Sequence, residues 1–289
     1  PGGGGTAGDG PCLMDELPDD TIVRMCGFLG SMELAVLRGV SRRLRRTAAC
    51  PSLWQRVTVP DGAPSLQAAL RAIPASVAGR VVIALRPGVY VDGQRDEPRQ
   101  QGRPARQGIV VHRLVSIEPC APGDKVTLRS ARGDVVTFGQ GSQGSRILGC
   151  RVQADLFAAH ALVVRAPDVR IAACELVARG RASYGIVFAF KGGPGAVEGC
   201  TIHECGGGGV LCAHDVGPVD ISDSQIADNL WSGVSLFSGA SAELRGCTVS
   251  GNRGYGVLRA RDAALVLGAD CDLERNEQGR VHSQLSVVL

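Results

Sequence analysis

The stretches Gly149–Asp155 (GCRVQAD), Ala173–Arg179 (ACELVAR), Gly199–Cys205 (GCTIHEC), Asp223–Asn229 (DSQIADN), Gly246–Asn252 (GCTVSGN) and Asp270–Asn276 (DCDLERN) are copies of one pattern. Successive copies start 24, 26, 24, 23 and 24 residues apart. Their second positions are Cys150, Cys174, Cys200, Ser224, Cys247 and Cys271. Two residues later comes an aliphatic: Val152, Leu176, Ile202, Ile226, Val249, Leu273. Ile147, Ile171, Val197, Ile221 and Leu244 sit three residues before the first five. A second signal keeps the same pace: Ala161-Leu162, Gly185-Ile186, Gly209-Val210, Gly233-Val234 and Gly256-Val257. Two phased signals with one period point to a repeat architecture.

The unit is too short for a propeller blade or a helical hairpin. It shows no apolar i, i+3, i+4, i+7 spacing, whereas short apolar alternations are frequent. Each copy reads as three short strands separated by turns rich in Gly, Asn and Asp. Stacking such copies gives a mainly β fold, a parallel β-helix of coils about 24 residues long, each about 4.8 Å above the last. No coil buries its apolar face alone, so neighbours stabilise one another. The cysteine column is then a column of small, buried side chains, and Ser224 on one rung fits that reading. Asn229, Asn252 and Asn276 recur at the same pace, which predicts a ladder of stacked amides.

The chain has 289 residues, enough for one large domain and a small one, and a formal net charge of +3. That near-neutral balance favours neither nucleic acid nor a membrane surface as partner. No run is long and apolar enough to span a bilayer, and PGGGGTAGDGP has no secretory pattern. A chain that starts at Pro1 suggests a missing upstream piece. Eleven cysteines without CxxC pairs argue against structural zinc. They read as reduced thiols of a cytoplasmic or nuclear protein, with disulfides along the column as the alternative.

Residues 1–12 read as a disordered Gly-rich tail, 13–58 as a small helical domain, 59–80 as a linker with a capping helix and 81–289 as the β-helix. In the helical part, Leu17-Pro18-Asp19-Asp20 opens a helix whose stripe is Ile22, Met25, Cys26 and Leu29. Gly30 ends it, and Ser31 caps a second helix carrying Leu34, Leu37, Val40, Ser41 and Leu44. About forty-five residues bury too little apolar surface to stand comfortably alone. The order Leu17-Pro18, Ile22, Leu29, Met32-Glu33-Leu34, Val40-Ser41-Arg42-Arg43-Leu44-Arg45 and Pro51-Ser52-Leu53-Trp54 resembles the F-box, with Leu44 where many members have Trp. Farther on, a Ser65-capped helix leads into Leu85-Arg86-Pro87-Gly88-Val89-Tyr90. That entry resembles the N-terminal cap and first coil of right-handed β-helix proteins. The polar segment 92–108 reads as a protruding loop, and strands resume at Ile109, Val115, Val126 and Val135. The final apolar run, Leu285-Ser286-Val287-Val288-Leu289, suggests truncation or a covering partner.

Taken together, the chain resembles F-box proteins whose recognition part is a right-handed parallel β-helix. The resemblance implies a non-catalytic substrate receptor of an SCF-type ubiquitin ligase. Leu17, Pro18, Ile22, Leu29, Leu34, Val40, Leu53 and Trp54 would be anchors against a Skp-family adaptor, and through it a cullin. The rod would hold an unidentified target protein, with Trp231, Tyr255, Phe190 and Phe237, together with Tyr184 and Phe188, as exposed aromatics at turns of successive coils. No cofactor or metal is expected.

The alternative is a carbohydrate-binding or polysaccharide-modifying β-helix protein. It needs facing carboxylates or an oxygen-rich calcium cluster. The best acidic line is Glu198, Asp220 and Glu243, spaced as one outward column with Arg146 and Arg170 in the same line. The five histidines are scattered, and Cys205 or Cys212 beside the glycine run 206–209 is the one candidate reactive thiol.

Overall fold

A computed structural model describes residues 17–27, 29, 31–61, 63, 65–91, 107–130, 133–155, 159–189 and 193–284. The chain starts with helices α1 (Asp19–Cys26), α2 (Ser31–Val40) and α3 (Arg42–Ala48), then a 3-10 turn at Pro51–Trp54. Helix α1 starts directly after Pro18, with Asp19 and Asp20 in its first turn, where acids meet the positive helix end. Gly30 lies outside the described residues. The second helix does not run on through Leu44 as the sequence suggested. Ser41 takes an extended backbone (φ −148°) and its hydroxyl accepts from Leu44 N at 3.1 Å, so a new helix begins there. Helix α4 (Leu66–Ala72) carries the cap expected of Ser65, whose hydroxyl accepts from Ala68 N at 3.1 Å.

Among the described residues every strand then belongs to one of three parallel sheets. The first has nine strands, from Arg56–Val59 to Ala264–Leu267; the second seven, from Gly88–Val91 to Thr248–Ser250; the third eight, from Gln107–Val111 to Val281–Gln284. From Val81–Leu85 onward consecutive strands in the chain lie in different sheets, so the backbone climbs as a coil of about 24 residues. The phased aliphatics stack in register. Ile147, Ile171, Val197, Ile221 and Leu244 form one interior column, and Val152, Leu176, Ile202, Ile226 and Val249 another. All ten are fully buried.

The repeat begins at the corner between the first and second sheets. Gly149, Ala173, Gly199, Asp223 and Gly246 each take a positive φ, between 48° and 61°. Glycine and aspartate are the residues that tolerate this region best. The next residue turns inward, so the cysteine column is buried from Cys150 to Cys247, with Cys271 partly exposed at the end. Cys174, Cys200 and Cys247 donate to the carbonyls of Ile147, Ile171 and Ile221 in the preceding coil. The cysteines of the described residues are free thiols.

Asn229, Asn252 and Asn276 build the expected ladder one corner later. Asn229 Nδ2 donates to Asn252 Oδ1 at 2.8 Å, and Asn252 Nδ2 to Asn276 Oδ1 at 2.9 Å. Each Oδ1 also receives the backbone N–H of the rung before: Cys205 N to Asn229 at 3.0 Å, Asn229 N to Asn252 at 3.1 Å, Asn252 N to Asn276 at 3.2 Å. At the same corner the coils touch backbone to backbone. A Cβ on Gly206 would lie 2.1 Å from the Gly180 carbonyl oxygen. Gly206→Ala is therefore expected to cost about 1–3 kcal/mol of unfolding free energy by overpacking. Urea titration would show it, and an unchanged midpoint would mean that the corner relaxes freely.

The helical unit and the rod share one apolar interior. A single core cluster runs from Ile22, Leu34 and Trp54 through Leu66 and Leu85 to Leu273. Strand Arg56–Val59 directly follows the 3-10 turn and pairs with Val81–Leu85, so the helical unit enters the rod as its first strand. Helices α2 and α4 pack together, and the Arg38 guanidinium reaches the Ala72 carbonyl at 3.5 Å. These elements cover the open edge of the first coil, which would otherwise present unpaired strand groups. The N-terminal tail through residue 16, the segment 92–106, Phe190 and the run 285–289 lie outside the described residues.

Candidate functional site

Exposed apolar groups on the helical unit and at one corner of the rod make the candidate contact surfaces. The first lies on the helical unit. Helix α1 turns Ile22 and Cys26 inward, and α2 does the same with Leu34. Arg43 of α3 ties the start of α1 down, pairing with Asp19 at 2.9 Å and reaching the Leu17 carbonyl. What remains outward is Met25 (48% exposed), Leu29 (37%), Val36 (67%) and Val40 (65%), beside exposed Pro18. Val36 and Val40 stand four residues apart on one helix, which puts them on the same face. Of the eight expected anchors, Pro18, Leu29 and Val40 are thus on the surface and Leu17 and Leu53 are half-buried. Ile22, Leu34 and Trp54 are at most 2% exposed, so they hold the unit together from inside and present no contact surface. Met25 and Val36 are surface members that the sequence reading did not choose as anchors; a β-branched residue repeated at i, i+4 was the available signal.

The second surface is the corner between the second and third sheets. Leu230 and Trp231 project there, 46% and 47% exposed. Trp231 sits between two glycines in adjacent coils: its N–H donates to Gly207 O at 2.9 Å and its carbonyl accepts from Gly254 N at 3.1 Å. The indole is thus about half exposed on a backbone held from both sides. Tyr255, one coil on, is half-buried and stacks on His282 with ring centroids 4.5 Å apart and planes at 9°. Tyr184, Phe188 and Phe237 are not exposed as expected, with accessibilities of 3%, 0% and 5%. Phe188 points into the coil. Tyr184 and Phe237 cover the outer face of the third sheet, where they form a second small core with Val163, Val187 and Leu211. Strand alternation explains the miss: all three residues of these short strands are buried, because the outward one is roofed by an aromatic from a neighbouring turn.

The acidic line is rearranged by the register. Asp220 and Glu243 are partners, and the row continues back through Ala196 to Arg170 and Arg146. Glu198 belongs to a different row, opposite Ser222 and then Arg245. Coils of unequal length shift the count by two residues, which preserves the outward side and changes the row. Each of the three acids meets an arginine: Arg245 lies 3.3 Å from Asp220 and 2.9 Å from Glu243, and Arg170 pairs with Glu198. A glycosidase pair needs one carboxyl free to stay protonated, which this arrangement does not favour. The thiols beside the glycine run are equally quiet. Burial pushes Cys205 and Cys212 up to about 12, far from the thiolate form. Among the described residues no group of three or more His, Cys, Asp or Glu side chains is placed to hold a metal, and no helix is long and apolar enough to cross a membrane.

Comparison with known proteins agrees with both parts of the architecture. A family model for the right handed beta helix region matches residues 124–274, and an F-box-like model matches residues 14–60. No curated protein gives a significant match to the chain. Among solved structures, pectate lyase Pel9A superposes with a TM-score of 0.33 and 10% identity, over 66% of this chain and 69% of that one. A likeness at that level says nothing about chemistry. F-box-like domains generally dock on Skp-family adaptors, which suggests that role for residues 14–60. The chain belongs to the right-handed β-helix family and, with the helical unit at its front, is an F-box protein carrying a β-helix domain.

Proposed function

We propose that this protein is the substrate-recognition subunit of an SCF-type ubiquitin ligase. In this reading the helical unit docks on a Skp-family adaptor and through it a cullin, in the cytoplasm or nucleus, and the rod presents a target protein. The observation that carries the reading is the exposed Val36–Val40 face of α2, together with exposed Met25 and Leu29 on and just after α1, which the unit leaves uncovered although its interior is continuous with the rod. Helix faces of this kind pack into grooves, and a few central aliphatics carry most of the energy. The shared core makes the unit a rigid handle, so a target on the Leu230–Trp231 corner is held at a fixed place relative to the adaptor. Catalysis then needs only proximity: no residue of this chain performs covalent chemistry.

The test is binding of the purified full chain to a Skp-family adaptor by calorimetry, compared with Val36→Asp/Val40→Asp. Both side chains are solvent-facing, so the variant is expected to fold. Its affinity is expected to fall about thirtyfold or more, because two carboxylates are desolvated in the interface. If the unaltered chain does not bind the adaptor, the ligase reading is lost.

A further inference from the structure

A cavity of about 500 Å³ opens between α4, the turn after it and the adjoining coil of the rod. Its apolar wall is Leu70, Ile73 and Val77, all at most 9% exposed, with Leu114 of the adjoining coil. Its charged lining is one-sided. Arg113 faces it with His112 on the rim, and no aspartate or glutamate lines it among the described residues; Arg71, also in the lining, has an interaction of its own. The larger cavity, about 940 Å³ at the corner of the first and second sheets, differs in this respect. There Arg56 pairs with Glu118 at 3.4 Å and Arg151 with Glu175 at 3.1 Å, so the lining balances itself.

Arg113 is the centre of the asymmetry. Its guanidinium donates to the carbonyls of Ile73 at 2.7 Å, Pro74 at 2.8 Å and Val77 at 3.4 Å, and so fixes the turn after α4. It has no carboxylate partner among the described residues. Burial disfavours its charge and pulls its pKa below the ordinary value. Carbonyl dipoles alone offset that cost. A cation in a partly dry, apolar-walled recess attracts an anion more strongly than one in open water.

We infer that this cavity binds a small amphipathic anion, an acyl or aryl chain ending in a carboxylate or phosphate. The apolar body lies on Leu70, Ile73, Val77 and Leu114, and the head group sits beside Arg113 and His112. The size is within the range of small-molecule sites, and so is the mix of apolar wall and few polar groups. Because α4 packs on α2, an occupant stiffens the joint between the adaptor-docking helices and the rod. It raises the melting temperature by mass action. The proposal does not depend on adaptor docking, and either can fail without the other.

The experiment is calorimetric titration of the full chain with decanoate, decyl phosphate, decanol and decyltrimethylammonium. Saturable one-to-one binding is expected for the two anions, about tenfold or more weaker binding for decanol, and none for the ammonium. The ratio of the two anions tells which head group the site prefers. Arg113→Gln is expected to weaken decanoate about tenfold, but it also removes three carbonyl contacts. His112→Glu, at an exposed position on the rim, is expected to do the same while leaving the melting temperature of the free chain unchanged. The proposal is overturned if neither anion saturates, if decanol or the ammonium binds as well as decanoate, or if His112→Glu leaves the affinity unaltered.

Discussion

Trp54→Ala is expected to unfold the helical unit and abolish adaptor binding as a consequence. Trp54 has no exposed surface, and its Nε1–H donates to the Ala48 carbonyl at 2.6 Å. It lies in the same core as Ile22, Leu34, Val57 and Leu66, so it bridges the helices and the first strand of the rod. Truncating a buried tryptophan costs about 3–5 kcal/mol, and leaving a buried carbonyl unpaired adds about 1 kcal/mol or more. That is most of what a unit this small can hold in reserve. Denaturant unfolding followed by circular dichroism should show an early helical transition separate from that of the rod. Hydrogen exchange should locate it in α1 to α3. A variant with an unchanged midpoint that still lost the adaptor would instead make Trp54 a contact residue. Val36→Asp/Val40→Asp is the counterpart, with binding lost and stability kept.

Asn252→Ala is expected to have the second large effect. The middle rung accepts from Asn229 N at 3.1 Å and from Asn229 Nδ2 at 2.8 Å, and donates to Ile226 O at 3.1 Å and to Asn276 Oδ1 at 2.9 Å. Its side chain is inaccessible to water. Alanine removes these four hydrogen bonds and leaves Asn229 N without its acceptor, while Asn276 Oδ1 keeps the Asn252 N–H and Asn229 Nδ2 keeps the Ile202 carbonyl; each lost bond in the closed site is worth about 1 kcal/mol or more. Partial rescue by a water in the vacated space brings the expected loss to about 3–5 kcal/mol. Coils are coupled only to their neighbours. Fast hydrogen exchange is therefore expected from Asn252 toward Gln284, with the coils before Asn229 still protected. Uniform loss of protection along the rod would contradict the ladder as a local clamp.

Much of this molecule was legible in the order of residues, and the reasons are local. Five of the six copies of the repeat place glycine, alanine or aspartate where the backbone turns left-handed, and every copy has a small side chain next and an aliphatic two positions on. The asparagines announced a ladder because an amide both donates and accepts. Ser41 and Ser65 both cap helices; Ser65 stands before its apolar run, whereas Ser41 falls inside a longer apolar pattern that hides it. There the capping hydroxyl outweighed helical continuity.

The coil, its period, its interior columns and the helical front are set by the chain's own pattern. These follow from spacing between residues of one kind, which every copy states again. The tertiary structure alone decided which of those residues face water. Tyr184 and Phe237 were lost from the surface because a neighbouring coil placed aliphatics beneath them, and Glu198 changed rows because turn lengths differ between coils. Ile22, Leu34 and Trp54 went inside because the rod supplies the other half of their core. Burial depends on what lies across the gap, and a periodic pattern carries no record of its neighbours' height.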